Sequence, residues 1–313
     1  MAEELVKAGH RCTIVFYDVF GGTFERHERA LRIGWPWLHA DAVELGDHLP
    51  PADAYVATSW ETAHAIASRG DDAGRRLYFV QDFEPYFYGH GSQYVLAEDT
   101  YRFGFRTITV GRMLAEMLQK DFGVRAEVAE FGCDTDVYSF RNRGEREGVV
   151  FYARPEVARR GYEVGMLALE EFHRRHPEQP IHLFGGSPTG LRVPVVQHGR
   201  MTPAQLAALY NQCITGLALS FTNVSLVPIE MIACGAIPVV NDSAAARPGL
   251  TSHYARWSQP TPVALAAALS SIVEHADVAG HAAEAAASVA GASWSDAAAT
   301  VRSVVEQEVY GGS

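Results

Sequence analysis

Two segments in the second half of the chain carry residue types suited to holding a diphosphate. The first is Ala153-Arg154-Pro155-Glu156-Val157-Ala158-Arg159-Arg160-Gly161, which follows the apolar run Val149 to Tyr152. Two or three guanidiniums at the end of a strand can grip phosphate oxygens in pairs. The same residues would also serve as a solvated, charged loop. The second segment starts at Leu219-Ser220-Phe221-Thr222-Asn223-Val224-Ser225-Leu226. It continues through Val227-Pro228-Ile229-Glu230 to Cys234-Gly235 and Ile237 to Val240. It reads as strand, loop, short helix, glycine stop and strand. Ser225 is expected to cap the helix, and Pro228 to fall in its first turn. Backbone N–H groups near Ser225 and Leu226 would then form an anion site. Glu230, one turn further in, could accept hydrogen bonds from a sugar diol. Taken alone, this is an ordinary capped helix with a glutamate on a solvated face. Convergence favours function, because both segments sit at C-terminal strand ends of one expected sheet.

The first half offers acids and flat rings. Gln81-Asp82-Phe83-Glu84-Pro85-Tyr86-Phe87-Tyr88 follows the strand-like run Leu77 to Val80. Asp82 or Glu84 could orient an acceptor hydroxyl or receive its proton late in a transfer. Tyr86 and its aromatic neighbours could stack on a sugar, or they could be core side chains with two acids at the rim. Glu98, Asp99 and Arg102 stand at helical spacing and read as a surface ion-pair set. Trp35-Pro36-Trp37 reads equally as an acceptor loop or a strand-edge anchor.

Such groups need a scaffold, and the chain alternates strand-like runs with amphipathic ones throughout. Runs at Cys12–Tyr17, Ala54–Thr58, Leu77–Val80, Thr107–Val110 and Ala126–Phe131 precede the polar stretch Arg141 to Gly148. Further runs at Val149–Tyr152, Ile181–Phe184, Val193–Gln197, Thr215–Leu219 and Ile237–Val240 follow it. That alternation predicts two parallel α/β sheets covered by helices. Two such domains in tandem would face a cleft, where ligands sit at strand ends. The expected organisation is residues 1–140, then 149–292, then a segment 293–313 crossing back toward the first domain. The alanine-rich stretch Ala264 to Glu308 is helical by propensity. Glu3 to Gly9 looks like the end of a helix with no strand before it. Either the start is missing, which is the favoured expectation, or the first sheet lacks a central strand and leaves backbone groups unpaired.

Composition narrows the classes. The chain has 313 residues, 48% hydrophobic and 20% charged, which is globular and long enough for two domains. A net charge of -11 argues against a general nucleic-acid binder. No apolar run approaches the ~18 residues of a membrane span. The four cysteines are scattered with no CxxC, as in thiols of a reducing cytoplasm. Lysine occurs only at Lys7 and Lys120, so motifs that commonly use lysine are expected to use arginine here.

The second half resembles the donor domain of retaining GT-B glycosyltransferases of family 4. The usual pattern there is an Arg, a Lys-Gly a few residues on, then Glu-x7-Glu running into Ala-Cys-Gly-x-Pro-Val-Val. Arg154 matches the Arg, Arg160 or Arg159 stands for the Lys before Gly161, and Glu230 matches the second Glu. Thr222 stands where the first Glu is usual. Gly185-Gly186 matches a glycine turn after a central strand, and Gly199 to Met201 the segment that holds the base. Tyr78 to Tyr88 and Ala97 to Phe105 resemble rhamnosyltransferases of the WsaF type, which carry Thr-Asn-x-Ser-Leu as at Thr222 to Leu226.

That resemblance implies a GT-B fold and a retaining, metal-independent sugar transfer, with dTDP-L-rhamnose as donor. It implies no cofactor and a saccharide or lipid-linked saccharide acceptor. Arg154, Arg160 and Asp82 are the expected catalytic residues. Arg159, Gly185, Gly199, Met201, Thr222, Asn223, Ser225, Leu226 and Glu230 are expected at the donor, and Glu84 and Tyr86 at the acceptor. The expected location is the cytoplasm, with peripheral membrane contact where the acceptor is lipid-linked. No Asp-x-Asp pair in a suitable loop suggests a metal. A dinucleotide oxidoreductase would need GxGxxG between strand and helix, and an α/β-hydrolase GxSxG; neither occurs. Two rivals stay open: a GT-B sugar-nucleotide epimerase and a non-catalytic nucleotide-sugar-binding module.

Overall fold

The computed structural model describes residues 1–311 except 19–20, 70–73, 244–246, 248–249 and 251. The chain forms two compact units, Met1–Glu130 with Ser295–Ser313, and Phe131–Trp294.

In the first unit the order is α1 (Ala2–Lys7), β1 (Thr13–Phe16), α2 (Phe24–Gly34), β2 (Asp41–Glu44), β3 (Ala54–Ala57), α3 (Trp60–Arg69), β4 (Arg75–Val80), α4 (Ser92–Asp99), β5 (Arg106–Val110), α5 (Arg112–Phe122) and β6 (Ala126–Ala129). Its strands make two parallel sheets, β1-β2 and β3-β4-β5-β6. Among the described residues β1 pairs only with β2, and β3 only with β4. Among the described residues the first unit therefore holds two separate parallel sheets, not one. Each part has its own core: Tyr55, Tyr78, Phe83, Tyr101 and Leu114 in the larger, Leu31, Leu38 and Ala40 in the smaller. Trp35 and Trp37 are exposed just before β2, at the end of the sheet where strands begin. That position fits a strand-edge segment and takes them away from the C-terminal strand ends where acceptor loops gather.

The second unit runs β7 (Val149–Ala153), α6 (Tyr162–Arg175), β8 (Ile181–Gly185), β9 (Val196–Gln197), α7 (Pro203–Gln212), β10 (Thr215–Leu217), α8 (Val227–Ala233), β11 (Ile237–Asn241), β12 (Arg256–Ser258), α9 (Pro262–Val273) and α10 (Val278–Ser288). α11 (Ser295–Tyr310) returns to the first unit, where it contacts α1, β3, β4 and β6. Ion pairs Arg302–Glu4 at 2.9 Å and Arg106–Glu308 at 3.3 Å fasten it. The second unit holds one six-stranded parallel sheet, ordered β12-β11-β10-β7-β8-β9. β7 is central and nearly all apolar, as a strand covered on both faces must be. From β7 the chain winds outward through β8 and β9, then returns to β7's other side at β10. The point where strand order reverses lies between β7 and β10, and ligands of open α/β sheets sit outside the strand ends at such a point.

Residues 131–148 are built into the second unit. Arg141 to Gly148, read from sequence as a linker, is a folded strap. The buried guanidinium of Arg146 donates to the carbonyls of Tyr210, Cys213, Asn142 and Cys234 at 2.7–3.2 Å. Asn211 Oδ1 accepts from the backbone N–H groups of Arg141 and Asn142. A polar composition conceals this packing, because the buried partners are backbone carbonyls that leave no trace in side-chain hydropathy. Among the described residues, no single helix is long and apolar enough to cross a membrane.

Candidate functional site

The loops after β7 and β10 meet at the switch point. Arg154 is the first residue beyond β7, and the turn 158–160 carries Arg159 and Arg160. Arg160 Nη1 donates to Ser220 Oγ at 3.1 Å, and Phe221 N–H to the Arg159 carbonyl at 2.9 Å. Gly161 closes the turn with φ +63°, and a Cβ there would stand 2.8 Å from the Phe221 ring. Only glycine meets both the left-handed backbone and that contact. Ser220 is held in turn by Asn241 at the end of β11: Asn241 Oδ1 accepts from Ser220 N–H and Asn241 Nδ2 donates to the Ser220 carbonyl, both at 2.8 Å. Ser220 Oγ donates to the Asn223 carbonyl at 2.7 Å. The arginine turn and the Ser220–Leu226 loop are thus one connected piece.

β8 adds the third side. Gly185 N–H donates to the Gly199 carbonyl at 2.7 Å, which draws the Gly199–Met201 segment to the strand end. With φ +98°, Gly185 also leaves room for a neighbour: a Cβ would lie 2.5 Å from the Tyr152 ring and 3.2 Å from Arg154 Cδ. Tyr152 stacks on Phe184 with ring centroids 4.9 Å apart, and its hydroxyl accepts from Arg154 Nη1 at 2.8 Å. Arg154 Nε also donates to Glu156. Arg154, Arg159, Arg160, Gly185, Gly199, Met201, Thr222, Asn223, Ser225 and Leu226 therefore all lie on the loops at the C-terminal edge of one sheet.

Within that group the fine roles differ from expectation. Ser225 does not cap α8. The cap position is Leu226, already helical at φ -69° and ψ -22°, and no side chain caps the helix. Pro228 in the first turn sets the helical backbone in place of a capping hydroxyl. Thr222 and Asn223 are buried, whereas Ser225 is half-buried and Leu226 exposed. Glu230 is half-buried, not on a fully solvated face. Burial, and after it the negative charge of Asp134, pushes its carboxyl up to about 7. Tyr138, Cys133 and Cys234 feel its charge; burial first and Glu230 among the neighbours lift both thiols to about 12.

In the first unit the two candidate acids part company. Asp82 lies two residues past β4, half-buried, and accepts from the N–H of Phe83 at 2.8 Å. Glu84 is 9% exposed. Its carboxylate accepts from Trp60 N–H at 2.6 Å and Tyr78 O–H at 2.9 Å, while the Tyr101 hydroxyl faces its own N–H at 3.3 Å. Burial pushes this carboxyl up to about 7 even though both hydrogen bonds favour the charged form. Glu84 therefore caps the start of α3 from a distance and is not presented to an acceptor, a correction to the sequence reading. Phe83 is core, stacked on Tyr101 at 5.5 Å, whereas Tyr86 is 50% exposed. Arg102 pairs with Glu98 at 3.0 Å one helical turn away, the expected ion-pair set.

The family comparison fits this architecture. The WsaF C-terminal domain matches residues 147–270, and the WsaF N-terminal domain residues 41–113. The chain belongs to the WsaF family. The two WsaF matches together cover well over half of it and fall one in each unit. A curated relative, the O-antigen biosynthesis protein RfbC of Myxococcus xanthus, is 34% identical over 237 residues. That alignment covers 72% of this WsaF-family chain and 18% of the relative's length. Solved structures show the GT-B fold. Anabaena HepE, in complex with UDP and glucose, superposes with a TM-score of 0.68 at 13% identity, covering 95% of this chain and 98% of that one. S. aureus TarM gives 0.64 at 9% identity, covering 80% and 55%. A putative UDP-N-acetylglucosamine 2-epimerase from Listeria monocytogenes gives 0.59 at 9%, covering 97% of each.

Several participants were silent in the sequence. Asn241 orders the β10 loop from a neighbouring strand, Tyr152 seats Arg154, and Asp134 acts on Glu230. Each works across a gap in the sequence or through a neighbour's side chain. Only Glu156, two residues from Arg154 in an Arg-Pro-Glu turn, had a local signal.

Proposed function

We propose that the chain is the sugar-transferring part of a WsaF-family glycosyltransferase, moving a hexose from a nucleoside diphosphate sugar to a saccharide acceptor in polysaccharide or glycoconjugate synthesis. The observation that carries this reading is the joining of the Arg154–Arg160 turn to the Ser220–Leu226 loop at the sheet's switch point. Breaking the bond between sugar and diphosphate builds negative charge on the leaving phosphate. Arg154 and Arg160 stand where fixed guanidiniums would stabilise that charge. Arginine neutralises phosphate without a metal ion, which fits a metal-independent reaction. Glu230 is a half-buried acceptor for the donor's hydroxyls. Gly199 to Met201 offers main-chain contacts to the base, and Asp82 and Tyr86 belong to the acceptor side.

Family resemblance carries the finer assignments: retention of configuration, rhamnose as the sugar and dTDP as its carrier. Retention without a side-chain nucleophile calls for attack on the face that the leaving group departs from, a donor phosphate oxygen taking the acceptor proton. The HepE and TarM complexes contain UDP, which makes UDP the competing carrier in the test. The reaction is assigned to the cytoplasm, at the inner face of the membrane where the acceptor is lipid-linked. A thermal-shift panel of dTDP-, UDP- and GDP-sugars tests the core of the reading. The matching donor should raise the melting temperature by mass action. A flat response to all three classes would sink it, and donor consumption without an acceptor would favour the epimerase.

A further inference from the structure

We propose that Glu156 is a built-in counter-ion that holds the guanidinium fork of Arg154 in the donor-free protein and is displaced by the donor's diphosphate. This rests on the donor-site reading above and adds a residue that it leaves idle. Arg154-Pro155-Glu156-Val157 forms a tight turn, closed by Val157 N–H to the Arg154 carbonyl at 3.0 Å. Proline at the second position presets that turn. The turn brings Glu156 back over the residue that opens it, and Arg154 Nε donates to Glu156 Oε1. On its other side Arg154 is anchored by Tyr152, through the hydroxyl at 2.8 Å and the ring at 5.7 Å from the guanidinium carbon. Gly185 lets the arginine's stem pass close by. The guanidinium is therefore held in place, with a carboxylate on the side that a second anion would need.

The two partners differ in exposure. Arg154 is 31% exposed and fixed by Tyr152, whereas Glu156 is 59% exposed and, among the described residues, its carboxylate bonds its own N–H and Arg154. Hydrogen bonds from its own N–H, then from Arg154, hold the Glu156 carboxyl below its usual range, and the positive charge of Arg200 adds to this. Arg200 lies beside the Gly199 carbonyl that binds Gly185, so a second cation stands near the carboxylate once it leaves Arg154. Donor binding becomes an exchange of anions: a diphosphate, with more charge and two oxygens for the fork, replaces a single carboxylate. Without the exchange, two anions would compete for one cation. No covalent bond changes.

The expected effect is modest, because an exposed ion pair is weak. Titration calorimetry at low ionic strength with dTDP and UDP compares the wild-type chain with Glu156→Gln and Glu156→Asp. Glu156→Gln should tighten diphosphate binding about two- to five-fold. Binding of the bare nucleosides thymidine and uridine should not move, whereas a general loosening of the loop would shift both. Glu156→Asp, with a shorter reach, should move in the same direction by less. In an Arg154→Ala background the gain should vanish, as a pairwise coupling requires. Unchanged or weaker diphosphate binding in Glu156→Gln, or a gain that persists without Arg154, overturns the proposal. If the wild-type chain binds neither diphosphate, the donor-site reading itself falls, which is a separate outcome.

Discussion

The two units treat their charged side chains in opposite ways. In the second unit the arginines of the β7 loop stay half-exposed at the sheet's edge, and the cation taken inside is Arg146. In the first unit the acid that looked most like a reactive group, Glu84, is taken inside. The difference follows from what each side chain can find there. Arg146 meets four backbone carbonyls, which satisfy a planar cation on several sides. Glu84 meets the start of α3 and a tyrosine hydroxyl, two donors that a carboxylate can accept from. A charged residue beside a strand end is a candidate for chemistry only while no such internal partners claim it.

Five substitutions probe that contrast. Arg154→Ala and Arg160→Ala should each lower sugar transfer about 100- to 1000-fold, the usual cost of removing one donor to a developing oxyanion. The melting temperature of the donor-free chain should stay put. Unchanged turnover would move the reactive charge elsewhere. Next, Arg146→Ala strips four carbonyls of their donor and should cost about 3 kcal/mol in urea unfolding. The exposed Arg143→Ala serves as control, and equal losses would show that Arg146 is as superficial as a linker residue.

Glu84→Gln probes the opposite sign. A carboxyl raised to about 7 binds more protons when folded than unfolded, so stability is lost as pH rises from about 4.5 through 7. The wild-type chain should weaken over that window by about 3 kcal/mol through this group, and Glu84→Gln should flatten the curve. An unchanged pH profile would mean that Glu84 is ionised in water at no cost. The smallest effect is expected at Glu230→Gln. An ionised carboxylate accepts from donor hydroxyls, so affinity for the nucleotide sugar should fall as pH drops below about 7. The glutamine variant should bind about 10-fold more weakly at high pH and lose that dependence. A wild-type affinity independent of pH would remove Glu230 from the donor site.

Much of this was legible in the residues. The runs Val149–Tyr152, Ile181–Phe184 and Ile237–Val240 became β7, β8 and β11 because central parallel strands are apolar on both faces. The strands β2, Asp-Ala-Val-Glu, and β12, Arg-Trp-Ser, went unread. Both are edge strands, whose open side tolerates charge and leaves a weak pattern. Ser225 misled for a related reason: a serine before a proline-bearing helix has the look of a cap, but the backbone had already turned helical at Leu226.

By itself, then, the sequence determined the class of fold, the two-part organisation and the arginine and glycine residues of the loops after β7 and β8. These depend on local periodicity and on residue types close together in the chain. Only the tertiary structure decided that Asn241 fixes Ser220, that Tyr152 seats Arg154 against Glu156, that Arg146 ties residues 141–148 into the second unit, and that Glu84 points inward. Each of those outcomes rests on which hydrogen-bond partners burial brings within reach, and burial is settled between elements far apart in the chain.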